Sequence, residues 1–221
     1  MSQQPPSTRG RGRPSSPVLS RERLTQAAIR IVTEQGYRRL TMASLARELG
    51  VSASALYNHV SSKRDVLVLI QDRVNEQIDC SPFNTRPWDE ALREWARSYR
   101  RCFAQHTALI PVMAVLPVAD SPQTLRMYER VARALCDAGI DGADAVDIIV
   151  GVEALVFGAA YDVLAPTDIF DPGGLEELAP TFTRFAAQRP RDPRAAADRA
   201  FELALDSLIG GLRQRFTGAV G

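Results

Sequence analysis

Residues 49–65 read LGVSASALYNHVSSKRD, and this stretch decides the fold. Positions 53–55 are small, and the polar side chains of Tyr57, Asn58 and His59 follow them. A helix with this composition buries little apolar surface, because it lacks the stripe of large apolar side chains that faces a core. We therefore expect its exposed side to contact another molecule.

The residues around this stretch predict a pair of helices. Thr41 can cap one helix, which Gly50 ends, and Ser52 can cap a second, short helix that extends to Val60. Two short helices joined by a tight turn form a helix-turn-helix, in which the second helix enters the major groove of DNA. Small side chains at the start of that helix let its free N–H groups approach bases and phosphates closely. The alternative is an ordinary pair of packed helices, because many pairs share this pattern.

Three side chains offer contacts with DNA. Tyr57 and Asn58 carry hydroxyl and amide groups for phosphates or bases, and Lys63 starts the next helix, where it can pair with a phosphate. Tyr57 could instead be a half-buried core ring. For His59 a structural role is favoured, because it lies on the side that turns back toward the first helix.

The charges divide between two parts of the chain. Residues 1–65 contain eleven basic and four acidic side chains, a net charge of +7, whereas residues 66–221 contain 16 basic and 22 acidic ones, a net charge of −6. This division predicts a polyanion-binding module attached to a domain that does not bind polyanions. A solvated basic surface is the alternative.

Helical periodicity continues through the rest of the chain. Ser20 and Gly36 bound a helix before the motif, and Ser62 with Asp65 caps the helix after it. Further helices are predicted near residues 88–103, 107–115, 122–139, 142–164, 174–188 and 193–214. No segment alternates as a strand does, so we expect an all-α fold of about nine or ten helices.

The stretch 19–67 resembles the N-terminal domain of the tetracycline-repressor (TetR) family. The residues that carry this resemblance are Gly36, Tyr37, Thr41, Leu45, Ala46, Gly50, Val51, Ser52, Leu56, Tyr57, His59, Val60, Lys63 and Leu67. More loosely, RPWDEALREWARSYRR at 86–101, the segment 117–139 and the Gly-containing apolar helix after it are similar to the C-terminal domain of the tetracycline repressor subgroup.

The resemblance implies a disordered basic arm at 1–19, a helix-turn-helix domain at 20–66 and a ligand-binding and dimerisation domain at 67–216. It implies a homodimeric transcriptional regulator, usually a repressor, that binds near-palindromic operator DNA and is released by a small molecule. The residues that would face DNA are Thr41, Ala43, Ser52, Ala53, Ser54, Ala55, Tyr57, Asn58 and Lys63.

The C-terminal part departs from the tetracycline repressor in its effector site. Val112 occupies the position of a metal-ligand histidine, and Trp95 that of a polar drug contact, so we expect no metal and no cofactor. The candidate pocket residues are Trp95, Tyr99, Phe103, Met113, Met127 and Phe157, which favour an apolar or aromatic effector. Plain core packing is the alternative for each, and His106 is expected to be an exposed helix-end residue.

Two helices, at 142–164 and 193–214, are more apolar than a surface helix requires and carry small residues. We expect them to form the self-association face, although they could simply be central core helices. The candidate interface residues are Gly151, Leu155, Gly158, Phe201, Leu205, Leu208 and Leu212.

The sequence RGRGRP at 9–14 contains a Gly-Arg-Pro core flanked by arginine. A flexible arm of this kind can enter a narrow minor groove, where the potential is most negative, through Arg11 and Arg13. A basic tail that attracts DNA without specificity is the alternative.

Two other classes of protein are alternatives to a regulator. An α-helical enzyme needs a nucleophile–base pair or a metal cluster, and two separated histidines with three unpaired cysteines supply neither. An architectural DNA-binding protein would bind without operator preference. No apolar run approaches the ~20 residues of a membrane helix, and the cysteine usage suits a reduced compartment, so we expect a cytoplasmic protein.

Overall fold

The structure is a computed structural model that describes residues 19–140 and 142–217. Its α-helices are α1 (Arg21–Gln35), α2 (Met42–Leu49), α3 (Ala53–Tyr57), α4 (Lys63–Asn75), α5 (Trp88–Ala104), α6 (Ile110–Met113), α7 (Pro122–Asp137), α8 (Gly142–Asp162), α9 (Pro180–Ala186) and α10 (Pro193–Thr217). The described residues contain no strand. The prediction of an all-α fold with about ten helices is confirmed. Arg11 and Arg13 lie outside the described residues.

The helices of the N-terminal part begin at the predicted caps. The Ser20 and Thr41 side chains accept hydrogen bonds from the backbone N–H groups three residues further along the chain. In turn, the Ser44 hydroxyl accepts a hydrogen bond from the Thr41 N–H at 2.9 Å. The Ser62 hydroxyl accepts from the Asp65 N–H at 3.2 Å and donates to the Asp65 carboxylate at 2.7 Å. These bonds satisfy N–H groups that the first turn of a helix leaves without a partner.

The N-terminal core forms where α1 packs against α2 and α4. Leu24, Ile31, Leu45 and Leu56 are fully or almost fully buried there. Val60 is also buried, four residues after Leu56, although the helix itself has ended. This small core positions α3 with its other side toward solvent.

Helix α5 is the centre of the larger C-terminal part. It packs against α8, α7 and α10, and its Trp95 and Phe103 are fully buried. Ion pairs join α5 to α10 in an antiparallel ladder: Asp89–Arg213 at 3.3 Å, Arg93–Asp206, Arg97–Glu202 at 2.6 Å and Arg100–Asp198 at 2.6 Å. The ladder fixes the register of the two helices.

The apolar stripe of α10 faces the chain's own core. Phe201 and Leu205 are 2% and 0% exposed, and the Arg100 guanidinium lies 4.8 Å from the Phe201 ring centroid. Both were expected at the self-association face, and this expectation is corrected because α5 and α8 already cover them. Leu208 and Leu212 remain partly exposed.

Among the described helices, none has both the length and the apolar character needed to cross a membrane.

Replacement of Ser62 by alanine tests the capping of α4. The change removes one bond to the Asp65 N–H and one to its carboxylate, so we expect the free energy of unfolding to fall by about 1 kcal/mol. Ser61→Ala is the matched control, because only the backbone N–H of Ser61 bonds to Asp65. Urea unfolding measures both variants. Equal losses of stability in the two variants would contradict this account of the cap.

Candidate nucleic-acid interface and interior cavity

Helix α3 presents its first turn to solvent. Ser52, Ala53 and Ser54 are exposed, and Ala55 is partly buried. The Ser52 hydroxyl accepts from the Ala55 N–H at 3.2 Å and lies 2.9 Å from the Ser54 hydroxyl. The first turn of α3 therefore carries only short side chains. Among the described residues of this turn, no large side chain blocks the approach of another molecule.

The end of α3 differs from the sequence prediction. The helix stops at Tyr57 and not at Val60, and the His59 and Val60 N–H groups after it both donate to the Leu56 carbonyl, at 2.9 and 3.1 Å. Tyr57 is 54% exposed and Asn58 is exposed, whereas His59 is partly buried. The alternative of Tyr57 as a core ring is thereby excluded.

Helix α2 adds a second exposed surface. Thr41 and Ala43 are exposed, and Arg47 follows Ala43 by four residues, on the same face of the helix. Arg38 and Arg39 are exposed just before Thr41. Within the described residues, none of these three arginines takes part in an ion pair. They are cations available to a polyanion.

Lys63 is held by a ring that the sequence reasoning did not place in the site. Its ammonium group lies 3.9 Å from the centroid of the Tyr37 ring, in the one-turn 3-10 helix over Tyr37–Arg39. A cation over an aromatic face is attracted by the ring quadrupole. The contact restricts a flexible side chain at the N-terminus of α4. The signal in the sequence was the aromatic residue directly after Gly36.

An interior cavity of about 80 Å³ lies in the C-terminal part. Its walls come from α4, α5, α7, α8 and the segment after α6, and its lining residues are Gln71, Asn75, Tyr99, Phe103, Met113, Ala114, Leu116, Tyr128, Glu153 and Phe157. Four of the six candidate pocket residues line it. Trp95 and Met127 do not.

The aromatic residues of the cavity form a cluster. The ring centroids of Tyr99 and Phe103 are 5.2 Å apart, those of Tyr99 and Phe157 5.6 Å, and those of Phe103 and Phe157 5.0 Å. Such edge-to-face contacts stabilise a fixed arrangement of rings. These three rings border the cavity on one side.

The cavity also has a polar wall, which the sequence reasoning missed. One oxygen of Glu153 accepts hydrogen bonds from the Tyr99 hydroxyl at 2.7 Å and from the Tyr128 hydroxyl at 2.6 Å. Burial raises the pKa of Glu153 and the two hydroxyls lower it, with burial the larger effect. Burial and the nearby carboxylate raise the pKa of both tyrosines. Both phenols therefore stay protonated and donate to Glu153.

Two amide side chains of α4 complete the polar wall. Gln71 and Asn75 are 5% and 6% exposed, and the carbonyl oxygen of each has no hydrogen-bond partner among the described residues. The Asn75 NH₂ group donates to the Thr124 hydroxyl of α7 at 2.7 Å. One turn earlier, Asp72 accepts from the Ser121 hydroxyl at 2.6 Å. Helix α4 is therefore tied by polar contacts to the start of α7.

His106 is not the exposed residue that the sequence predicted. It is half-buried where α5 ends, its Nδ1 is buried and has no partner among the residues that the structure describes, and burial lowers its pKa. In the described part of the chain, no three His, Cys, Asp or Glu side chains form a group that could hold a metal ion.

The chain matches two family descriptions. Residues 24–70 match the bacterial regulatory proteins of the tetR family, and residues 81–216 match the tetracyclin repressor-like C-terminal domain. The second match alone covers more than half of the 221 residues. The chain therefore belongs to the TetR family of transcriptional regulators, whose members are not enzymes.

Individual proteins agree with this assignment. An HTH-type transcriptional regulator of Saccharopolyspora erythraea is 30% identical over 145 residues, which span 66% of this chain but only 61% of that protein. Tetracycline repressor protein class A from transposon 1721 of Escherichia coli is 29% identical over 194 residues, 86% of this chain and 88% of that protein. The solved structure of apo ActR from Streptomyces coelicolor is 26% identical, with a TM-score of 0.74 over 91% of this chain and 98% of that one.

The raised pKa of Glu153 predicts how stability depends on pH. The folded chain holds the Glu153 proton more tightly than the unfolded chain, so this contribution to stability is full below the ordinary glutamate pKa of 4.5 and is lost as pH rises through the raised value. We expect wild type to lose stability relative to Glu153→Gln as pH rises above 4.5.

Urea unfolding across this pH range measures the difference between the two proteins. Glu129→Gln is the control, because Glu129 is exposed on α7 and pairs only with Arg133. A wild type that gains stability over Glu153→Gln as pH rises would contradict the prediction.

Proposed function

We propose that the chain is a homodimeric repressor that binds a near-palindromic operator and is released by a small-molecule effector. The observation that carries the proposal is the exposed first turn of α3, with Tyr57 exposed at its end and Lys63 held nearby by Tyr37. The repressor role is carried over from the tetracycline repressor of Escherichia coli. We place the protein in the cytoplasm.

Residues 20–66 act as the DNA-binding unit and 67–216 as the effector-binding and dimerisation unit. Helix α3 enters the major groove, where Ser52, Ala53, Ser54 and Ala55 lie against base edges and phosphates. Tyr57, Asn58 and Lys63 contact phosphates or bases, and Thr41 and Ala43 approach from α2. Arg11 and Arg13 of the arm at 1–19 add contacts in the minor groove.

The outer faces of α8 and α10 form the dimer interface. The two helices pack together, and Val150 and Leu203 on their outer sides are 56% and 68% exposed. A Cβ at Gly151 or Gly158 would meet nothing within 4 Å. Glycine inside a helix lowers stability, and no contact within the described chain requires glycine at these two positions. Because they lack a side chain, they allow the helix of a second copy to approach closely. Leu155, Leu208 and Leu212 flank the face.

Effector binding couples to DNA through α4. At about 80 Å³ the cavity is smaller than the roughly 300–1,000 Å³ of a typical ligand site. An effector must therefore widen it, and α4 supplies one wall through Gln71 and Asn75. The same helix begins at Lys63, about 12 Å away along the axis from Gln71. A shift of α4 moves the DNA-contacting end and changes the spacing of the two α3 helices in the dimer.

Titration of fluorescent DNA tests the DNA-binding proposal. Wild type should prefer the intergenic DNA upstream of its own gene to a scrambled duplex. Lys63→Gln should weaken binding about tenfold or more and reduce the slope of log K against log salt by about 1, because one phosphate is no longer neutralised. Tyr57→Phe, which removes only the hydroxyl, should weaken binding to a smaller degree. Arg101→Gln, an exposed site on α5, is the control.

The outcomes separate the rival functions. Equal affinity of wild type for both duplexes would support an architectural DNA-binding protein in place of a regulator. Absence of binding by the folded protein, or equal weakening in Lys63→Gln and Arg101→Gln, would refute the assignment of this face to DNA.

A charge on the outer face of α10 tests the dimer. Leu203→Glu should convert the wild-type dimer to a monomer, because the carboxylate would be buried without a partner at the interface. Leu125→Glu is the matched control, since Leu125 is also exposed, 48%, but lies on α7. Size-exclusion chromatography with light scattering gives the mass of each protein. A monomeric wild type, or a dimeric Leu203→Glu, would contradict the interface.

A further inference from the structure

The polar wall of the cavity contains unmatched hydrogen-bond acceptors. The carbonyl oxygens of Gln71 and Asn75 are buried without a donor in the described part of the chain, and both side chains line the same small space as Glu153. A buried acceptor that lacks a donor costs about 1–3 kcal/mol. Gln71 and Asn75 lie on adjacent turns of α4. A single donor group placed between their carbonyl oxygens would therefore remove both costs.

Glu153 is a carboxylate without a cation. One of its oxygens accepts hydrogen bonds from the Tyr99 and Tyr128 hydroxyls, at 2.7 and 2.6 Å. Within the described residues, no Lys, Arg or His pairs with it, and its second oxygen receives no hydrogen bond. Buried charges in proteins are normally paired, so the positive partner of Glu153 is absent from the described chain.

These groups match the donors of a protonated amine. A primary ammonium group has three N–H donors and one positive charge, and the cavity offers the free Glu153 oxygen and the carbonyl oxygens of Gln71 and Asn75. An anion would be repelled by the Glu153 carboxylate. A neutral apolar group would leave all three unmatched.

The size and the remaining wall suit the same ligand. A volume of about 80 Å³ holds an ammonium group and the first one or two carbons of a ligand, compared with ≈ 30 Å³ for a water molecule, and the rest of the carbon skeleton must widen the cavity. The rings of Tyr99, Phe103 and Phe157 border the space, and aromatic faces attract organic cations.

We propose that the effector is a small organic cation whose protonated amino group binds Glu153, Gln71 and Asn75 while its carbon skeleton lies against the aromatic cluster. The inference rests on the proposed function only in calling this ligand the effector. It replaces the broader expectation of any apolar or aromatic molecule with one chemical class.

Calorimetric titration of the full chain tests the proposal with three probes that share a phenylethyl group. These are 2-phenylethylamine as the cation, 2-phenylethanol as the neutral analogue and 3-phenylpropionate as the anion, all in buffer of matched ionic strength. The amine should bind about tenfold or more tightly than the alcohol, because it forms charge-assisted bonds, and the acid should bind most weakly.

Variants identify the groups responsible. Glu153→Gln should reduce the affinity for the amine to that for the alcohol, and Gln71→Leu should weaken binding of the amine while leaving the chain's charge unchanged. Glu129→Gln, which alters an exposed carboxylate on α7, should behave as wild type. Circular dichroism confirms that each variant is folded, and Gln71→Leu keeps the test decisive if Glu153→Gln does not fold.

Equal binding of amine and alcohol, or no binding of the amine at millimolar concentration, would overturn the proposal and identify a polar cavity filled by water only. A preference for the amine that survives both Glu153→Gln and Gln71→Leu would also overturn it. DNA titration of the same wild-type sample is read separately. Operator binding without an amine preference would support the proposed regulator and refute this ligand class. An amine preference without operator binding would support the ligand class and refute the proposed regulator.

Discussion

Two polar contacts fasten helix α4 to the start of α7, and the positions of both functional regions depend on them. Asn75 donates to Thr124 at 2.7 Å, and Asp72 accepts from Ser121 at 2.6 Å. Three of these four side chains are buried, so breaking either contact would leave polar atoms unsatisfied at a cost of about 1–3 kcal/mol each. Helix α4 is thus held at its C-terminal end, while Lys63 at its N-terminal end sits in the helix-turn-helix region.

The parts of the fold that could be predicted from sequence are those made by neighbours along the chain. The caps at Ser20, Thr41 and Ser62 each depend on a bond to the residue three positions on, so the pattern of residue types determines them. The exposed first turn of α3 follows from the same local signals. The error at its other end is also local: Val60 stays buried beside Leu56, as in a helix, but the backbone leaves the helix at Tyr57.

The parts that escaped prediction depend on partners far away in the chain. Glu153 meets Tyr99 and Tyr128, which are 54 and 25 residues away, and no spacing rule relates them. A similar ambiguity explains Phe201 and Leu205. An apolar stripe indicates that one face of a helix is covered, but the covering surface can belong to the same chain or to a second copy. Here α5 and α8 cover it, and within the described residues the opposite face of α10, with Leu203, stays exposed.

A ligand that binds to the polar wall can gain enough free energy to shift an equilibrium between two states of the chain. Moving a two-state equilibrium from 1:99 to 99:1 requires a ligand to favour one state by about 5.5 kcal/mol. Hydrogen bonds to charged groups contribute about 1.5–3 kcal/mol each, so three of them, to Glu153, Gln71 and Asn75, would supply this amount if they form in only one state. Since two of these acceptors belong to α4, the position of that helix decides whether the three converge. A purely apolar ligand would contact the rings of α5 and α8 in either state. It would therefore not favour one position of α4 over the other.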